Sequence, residues 1–223
     1  MTSDPTRRAT FVLSELEKKL LIRIADRLPR WVLPDHLTLF GMAGSVLVTT
    51  AYLMSNHAVW WLWIANLGFV INWFGDSLDG TLARVRHHER PRYGFYVDHV
   101  LDVVGVLFLV AGLALGGHVS GAAGAGFLLA YYLLMIEIAL ATHAVGTFRI
   151  SYWKFGPTEL RILLAIGTLQ LMRSDVVTIA GQQVLLFDLG MTVGAIGLVV
   201  TCVASILTNT RALYRAEPLP PEP

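Results

Sequence analysis

The chain has 223 residues, 55% of them hydrophobic and only 15% charged, with a mean hydropathy of +0.59. A soluble domain carries roughly 45–50% apolar residues with glycine counted and about 25% charged, so this composition excludes a disordered chain and argues against a water-soluble globule. A net charge of +1 argues against nucleic acid as a partner, and Cys202, the single cysteine, leaves no internal disulfide or cysteine metal site.

Residues 1–9 read as a polar tail, without the apolar core that a signal peptide would need. Over 10–28, Leu13, Leu16, Leu20, Ile24 and Leu28 recur at steps of three and four, while Glu15, Lys18, Lys19, Arg23 and Asp26 fill other faces. That spacing predicts an amphipathic helix too polar to span a membrane, so it is expected on the membrane surface. Packing on a soluble core is the plainer reading, and the chain lacks such a core. Pro34-Asp35-His36 opens an apolar run, with Asp35 as the expected helix cap. Spans are predicted near 36–55, 59–80, 94–117, 121–143, 158–173 and 184–209. Several carry Gly and Ala, which let membrane helices approach closely. Residues 144–157 and 174–183 read as polar connections, and the Pro-rich end from Glu217 as an exposed extended tail. There is no internal repeat. The expectation is an all-α, polytopic integral membrane protein with six transmembrane helices. It divides into a tail and interfacial helix (1–33), a six-helix catalytic domain (34–212) and a Pro-rich tail (213–223).

Charge fixes the expected orientation. Arg7, Arg8, Lys18, Lys19, Arg23, Arg27 and Arg30 precede span one; Arg84, Arg86, Arg90 and Arg92 lie between spans two and three; Arg149, Lys154 and Arg161 lie near the connection of spans four and five; Arg211 and Arg215 follow span six. Of the 17 Lys and Arg, Arg173 alone falls on the other side. The excess of positive charge inside then places both termini in the cytoplasm. Trp60, Trp61 and Trp63, clustered at the start of span two, suit an interface belt, and Asp188 an interfacial position.

Acidic side chains within membrane spans are costly and by default functional. Asp76 and Asp79 are three residues apart and share a helix face; Asp98 and Asp102 are four apart and share another. Asp79 lies about 7.5 Å deeper than Arg84, and Asp98 about 9 Å deeper than Arg92, at the rise of a helix. The two pairs thus fall at similar depth on neighbouring antiparallel helices. Four carboxylates so close cannot all stay ionised unpaired; protons or cations must neutralise them, and an oxygen-rich set suits Mg²⁺, Mn²⁺ or Ca²⁺. Gly80 and Ala83 lie on the Asp76/Asp79 side and Gly94 on the face of Asp98, leaving room for a ligand. Arg84 adds a planar donor suited to phosphate oxygens. The set suggests a polyphosphate or nucleotide diphosphate, with two metals about 3.5–4 Å apart and one carboxylate as proton acceptor. The competing structural reading makes the acids Arg-paired or capping groups. A transporter is the alternative of another class, because ion and proton pathways also use intramembrane acids. Transporters often show repeats, and a proton relay does not require Gly80, Ala83 and Arg84.

The string Asp76-Ser-Leu-Asp79-Gly80-Thr-Leu-Ala83-Arg84, nine residues, then Gly94-Phe-Tyr-Val-Asp98-His-Val-Leu-Asp102 resembles the signature of the CDP-alcohol phosphotransferase family at every signature position. Pro34-Asp35-His36-Leu37-Thr38 is similar to a Pro-Asn-x-x-Thr start found in many members, with Asp35 in place of Asn. The resemblance implies that Asp76, Asp79, Asp98 and Asp102 hold two divalent ions, Mg²⁺ or Mn²⁺. It implies that Gly80, Ala83 and Arg84 contact the cytidine diphosphate portion, with Gly94 beside them, and that Asp102 is the base for the acceptor hydroxyl. It also implies displacement of CMP from a CDP-linked lipid donor, CDP-diacylglycerol, by an alcohol, in a homodimer of the bacterial-type cytoplasmic membrane with its site facing the cytoplasm. In a second branch of the family a CDP-amino alcohol is the donor and diacylglycerol the acceptor; His99 and Gly156-Pro157-Thr158-Glu159 look somewhat like that branch.

Glu137, His143, Arg149, Lys154 and Arg161 are candidates for the acceptor pocket, against the plainer reading of loop charges and helix-end anchors. Arg86, Arg90 and Arg92, with His87 and His88, are expected to serve topology and anionic lipid.

Overall fold

The computed structural model describes residues 14–145 and 157–217. Among them are seven helices: α1 (Ser14–Arg27), α2 (Pro34–Met54), α3 (Trp61–Val85), α4 (Pro91–Leu115), α5 (Gly121–Val145), α6 (Pro157–Leu171) and α7 (Leu186–Ala216). One hairpin, β1 (Val176–Ile179) and β2 (Gln182–Leu185), joins α6 to α7. The architecture is that of an all-α membrane protein, and each expected span corresponds to one helix of the bundle.

Four helices, α2, α4, α5 and α7, are long and apolar enough to cross a membrane. α3 has the length, at 25 residues, but Asn66, Asn72, Asp76 and Asp79 dilute its apolar character. α6 has 15 residues, so it rises only about 22 Å. The boundary expected at 213 falls inside α7, which continues to Ala216.

Three local expectations are corrected. Asp35 does not cap α2. Leu33 is the N-cap residue, because Pro34, with its fixed φ and no N–H to satisfy, takes the first helical position. His36 Nδ1 accepts the Leu33 N–H at 3.2 Å, and Asp35 forms an ion pair with Arg90. The connection at 174–183 is an ordered antiparallel hairpin, with Val176 opposite Leu185 and Ile179 opposite Gln182. Its two-residue turn, Ala180-Gly181, has φ of 49° and 82°, the handedness that matches strand twist. Finally, α1 packs on the end of the bundle through Leu21 and Ala25, with Ile24 and Leu28 partly buried beside them, while Leu20 is 48% exposed. The buried face is therefore displaced from the expected leucine stripe, whose Leu13 and Leu16 lie outside the residues with described side chains.

The bundle has an apolar core at each end. At the far end from α1, Val48, Tyr52, Phe69, Leu113 and Phe187 meet. Polar ties close that end. Tyr52 Oη lies 2.6 Å from Thr168 Oγ1, Ser55 Oγ lies 2.7 Å from His118 Nε2, and Asp188 accepts the Ser120 N–H at 2.6 Å. Burial lowers the pKa of the His118 imidazole, which favours its neutral form in this contact. At the α1 end, Leu21, Ala25, Val32, Leu37, Leu78 and Leu82 form the second core.

Between these cores, α2 and α3 touch backbone to backbone. A Cβ on Gly75 would lie 2.5 Å from both Gly41 Cα and Leu37 O; one on Gly44 would lie 2.5 Å from Asn72 N. Gly112 of α4 and Gly116 at its C-cap meet α2 similarly, at Thr49 Cα (2.8 Å) and Tyr52 O (2.6 Å). Small residues permit this approach where apolar solvent gives no hydrophobic drive between helices.

Arg86 has a structural task that its charge alone does not reveal. Its guanidinium donates to the carbonyls of Leu28 (2.8 Å), Pro29 (3.0 Å) and Val32 (2.5 Å), holding the turn between α1 and α2.

Two outcomes follow from this packing. Gly75→Ala should lower stability by about 1–3 kcal/mol or more, since backbone cannot yield as a side chain would. Gly126→Ala, at a position with open space around it, should not; thermal unfolding in detergent compares the two. Arg86→Ala should cost about 1–3 kcal/mol of charge-assisted hydrogen bonding and expose 28–32 to protease, with Arg86→Lys recovering only part.

Candidate active site

The site lies at the α1 end, where carboxylates of α3 and α4 meet; each of these helices packs against α2. Helical spacing puts Asp98 and Asp102 one turn apart on α4, facing Asp76 of α3. One carboxylate oxygen from each of Asp76, Asp98 and Asp102 lies within 4.8 Å of the others; Asp76 is half-buried, and Asp98 and Asp102 are exposed. Three of the four expected acids are thus brought together.

Asp79, one turn further along α3, has its carboxylate engaged elsewhere. Oδ2 accepts the Thr38 hydroxyl of α2 at 2.6 Å, and Oδ1 accepts the Gly80 N–H at 2.5 Å. A carboxylate oxygen with one donor still has lone-pair capacity, so these bonds orient Asp79 without exhausting it.

Arg161 of α6 completes the polar layer. Its Nη2 donates to Asp76 Oδ2 at 2.6 Å and its Nε to Asn72 Oδ1 at 2.8 Å. Asn72 in turn donates to Gly41 O and Ser45 Oγ, both at 3.1 Å. The Arg161 side chain is 16% exposed and that of Asp76 30%, so the pair is shielded on both sides. A buried guanidinium is tolerable only when its donors and its charge are matched, and here a carboxylate and an amide oxygen match them.

The small residues behave as a floor. The Arg84 guanidinium folds back over Gly80, with Nη1 3.4 Å from where a Cβ would stand, and Nη2 donates to Thr81 Oγ1 at 3.2 Å. A side chain at 80 would press on that guanidinium. Ala83 is half-buried and Arg84 exposed on the same helix end. A Cβ on Gly94 would meet nothing within 4 Å, so the face of α4 leading to Asp98 is open.

The acceptor candidates separate. Arg161 joins the carboxylates. Glu137 reaches away to α7, where its Oε1 accepts Asn209 Nδ2 at 2.9 Å; its Oε2 is buried with no hydrogen-bond partner among the described residues. His143 is exposed near the end of α5. Arg149 and Lys154 lie outside the described residues. Sequence reasoning assigned no role to Thr38, Asn72 or Glu17. Asn72 carried a usable signal, as an amide in an apolar helix four residues before Asp76, on the same face. Glu17 carried none, sitting among the charges of an amphipathic helix.

Among the described residues the cluster holds carboxylates alone, a hard oxygen donor set that fits a divalent cation such as Mg²⁺ or Mn²⁺. Three carboxylates beside one guanidinium leave an excess of negative charge for such a cation to offset.

Comparison with known proteins follows the same line. Over 98 residues the chain is 35% identical to phosphatidylinositol phosphate synthase of Cutibacterium acnes, covering 44% of this chain and 45% of that protein. Over 149 residues it is 29% identical to human cholinephosphotransferase 1, covering 62% of this chain and 36% of that one. The matches thus span less than half the length of each curated relative. The family model for CDP-alcohol phosphatidyltransferase matches residues 31–210, from before α2 to within α7 and across the whole carboxylate cluster, and the chain belongs to that family.

Proposed function

We propose that the protein is an integral membrane enzyme of phospholipid synthesis that transfers a phosphatidyl group from CDP-diacylglycerol to an alcohol and releases CMP. The observation that carries this reading is the meeting of Asp76, Asp98 and Asp102 oxygens within 4.8 Å at one end of an apolar bundle. In this reading α2 to α7 all span the membrane, α1 lies at the cytoplasmic interface, both termini are cytoplasmic, and the enzyme is a homodimer.

Two divalent cations, Mg²⁺ or Mn²⁺, held among Asp76, Asp79, Asp98 and Asp102, would neutralise the diphosphate and the departing CMP. Gly80 and Ala83 leave room for the cytidine diphosphate portion, and the exposed Arg84 donates to its phosphate oxygens. Asp102 takes the proton of the acceptor hydroxyl. The acceptor oxygen then bonds to the phosphorus that carries diacylglycerol, and the bond from that phosphorus to the bridging oxygen breaks. CMP leaves with that oxygen and its electron pair. Gly94 keeps the approach to Asp98 open, so a lipid donor can enter sideways while CMP leaves into water.

Arg161, one helix from Asp102, offers a cation on the acceptor side, with Arg149 and Lys154 as further candidates and Glu137 and His143 less favoured. A phosphorylated polyol is the acceptor class to test first, because the phosphatidylinositol phosphate synthase is 35% identical over its matched region. The match to cholinephosphotransferase 1 over 62% of the chain supports a second reading, transfer from a CDP-amino alcohol to diacylglycerol.

Purified protein in defined lipid separates the two. CDP-diacylglycerol with inositol phosphate, glycerol phosphate, inositol or serine should release CMP and give a phosphatidyl product by mass; turnover only with CDP-choline and diacylglycerol would establish the second reading. Asp102→Asn should lower CMP release about 10²-fold or more with helix content and elution unchanged, and near-normal turnover would overturn the assigned base. Chelation of divalent ions should stop the reaction, and Mg²⁺ or Mn²⁺ should restore it.

A further inference from the structure

Glu17 lies on the inner side of α1, and its carboxylate joins three helices. Oε1 accepts Trp73 Nε1–H at 2.7 Å, the Ser77 hydroxyl at 3.3 Å and the Thr158 hydroxyl at 3.0 Å; Oε2 is 3.2 Å from the same Thr158 hydroxyl. The donors are neutral, and they come from α3 and α6. Trp73 and Ser77 bracket Asp76 in sequence. Thr158 precedes Arg161 by three residues, so a single turn of α6 separates the Glu17 contact from the guanidinium that reaches Asn72 and Asp76.

We propose that Glu17 is a positioning residue for the transferase, pinning the first turn of α6 so that Arg161 stays against Asp76. The proposal rests on the phosphatidyl-transfer reading above. α6 is short, at 15 residues, so lateral ties weigh heavily in fixing the register of its first turn. With Glu17 in place, two successive polar attachments, Thr158 and Arg161, hold that turn to α1 and α3. Without it, the guanidinium is free to leave the carboxylates. The acceptor side then loses its cation. A residue that merely staples α1 to α3 through Trp73 and Ser77 would affect stability alone.

The test compares wild type, Glu17→Ala, Arg161→Ala and the double variant in the same lipid–detergent micelles, reading CMP release together with amide hydrogen exchange. Glu17→Ala should lower kcat/KM about tenfold to a hundredfold, mostly through a higher acceptor KM. Glu17→Gln keeps a carbonyl oxygen for Thr158 and should lose less. The double variant should be no worse than Arg161→Ala alone, because the Glu17 effect travels through Arg161. Exchange should rise over 157–164 and stay unchanged over 186–200. Additive losses in the double variant, or unaltered exchange over 157–164, would overturn the proposal. If Glu17→Ala does not fold, Glu17→Gln and Thr158→Val carry the same comparison. If wild type releases no CMP from any CDP donor, the transferase reading falls, and exchange over 157–164 still decides whether Glu17 pins α6.

Discussion

The backbone contact between α2 and α3 sets the dimensions of everything around it. Gly41 and Gly44 face Gly68, Asn72 and Gly75 with no side chain between, and a methyl group at Gly75 would stand 2.5 Å from Gly41 Cα. Only at this separation can the short Thr38 hydroxyl reach Asp79 and the Asn72 amide reach both Gly41 O and Ser45 Oγ. Those three bonds aim the polar groups of α3. The close approach is thus a packing fact with an electrostatic result, since Asp79 and Asn72 of α3 take their orientation from α2.

The polar layer that results is graded. Asp79 is oriented by a hydroxyl and a backbone amide, Asp76 by a guanidinium, and Asp98 and Asp102 remain exposed. Glu17 and Arg161 bring opposite charges to neighbouring points, each satisfied by several partners. Unpaired charges in an apolar bundle are strongly unfavourable, and the half-buried Asp76 is accordingly matched by a guanidinium while the α4 carboxylates lie at an exposed surface.

Much of this was legible in the sequence, and the parts that were not share a physical cause. The helices followed from apolar runs, and the acids stood out because charge is rare in such runs. The spacing of Asp76, Asp98 and Asp102 gave the cluster, since helix geometry converts three- and four-residue steps into shared faces. Asp79's turn toward Thr38 was not readable, because rotamer choice depends on how closely two helices pack. The charge of Arg86 suggested the membrane surface, yet its donors close the turn at 28–32; a count of charges carries no information on which carbonyls lie within reach. The same holds for α1. Its periodicity announced a helix with an apolar side, while the face it buries, Leu21 and Ala25, was decided by the shape of the bundle end. The hairpin's β-branched Val176-Val177-Thr178-Ile179 was a signal, outweighed by the polar residues around it.

The two ends of the bundle differ in how firmly they are fastened. At the far end, buried aromatic packing is joined by Tyr52–Thr168, Ser55–His118 and Ser120–Asp188 contacts that tie α2, α6, the turns and α7 together. At the other end, the first turns of α4 are exposed. Regions with fewer buried contacts open at lower free energy than the core. Fluctuations that part the first turns of α4 from the bundle therefore cost less than any that would part the sealed end.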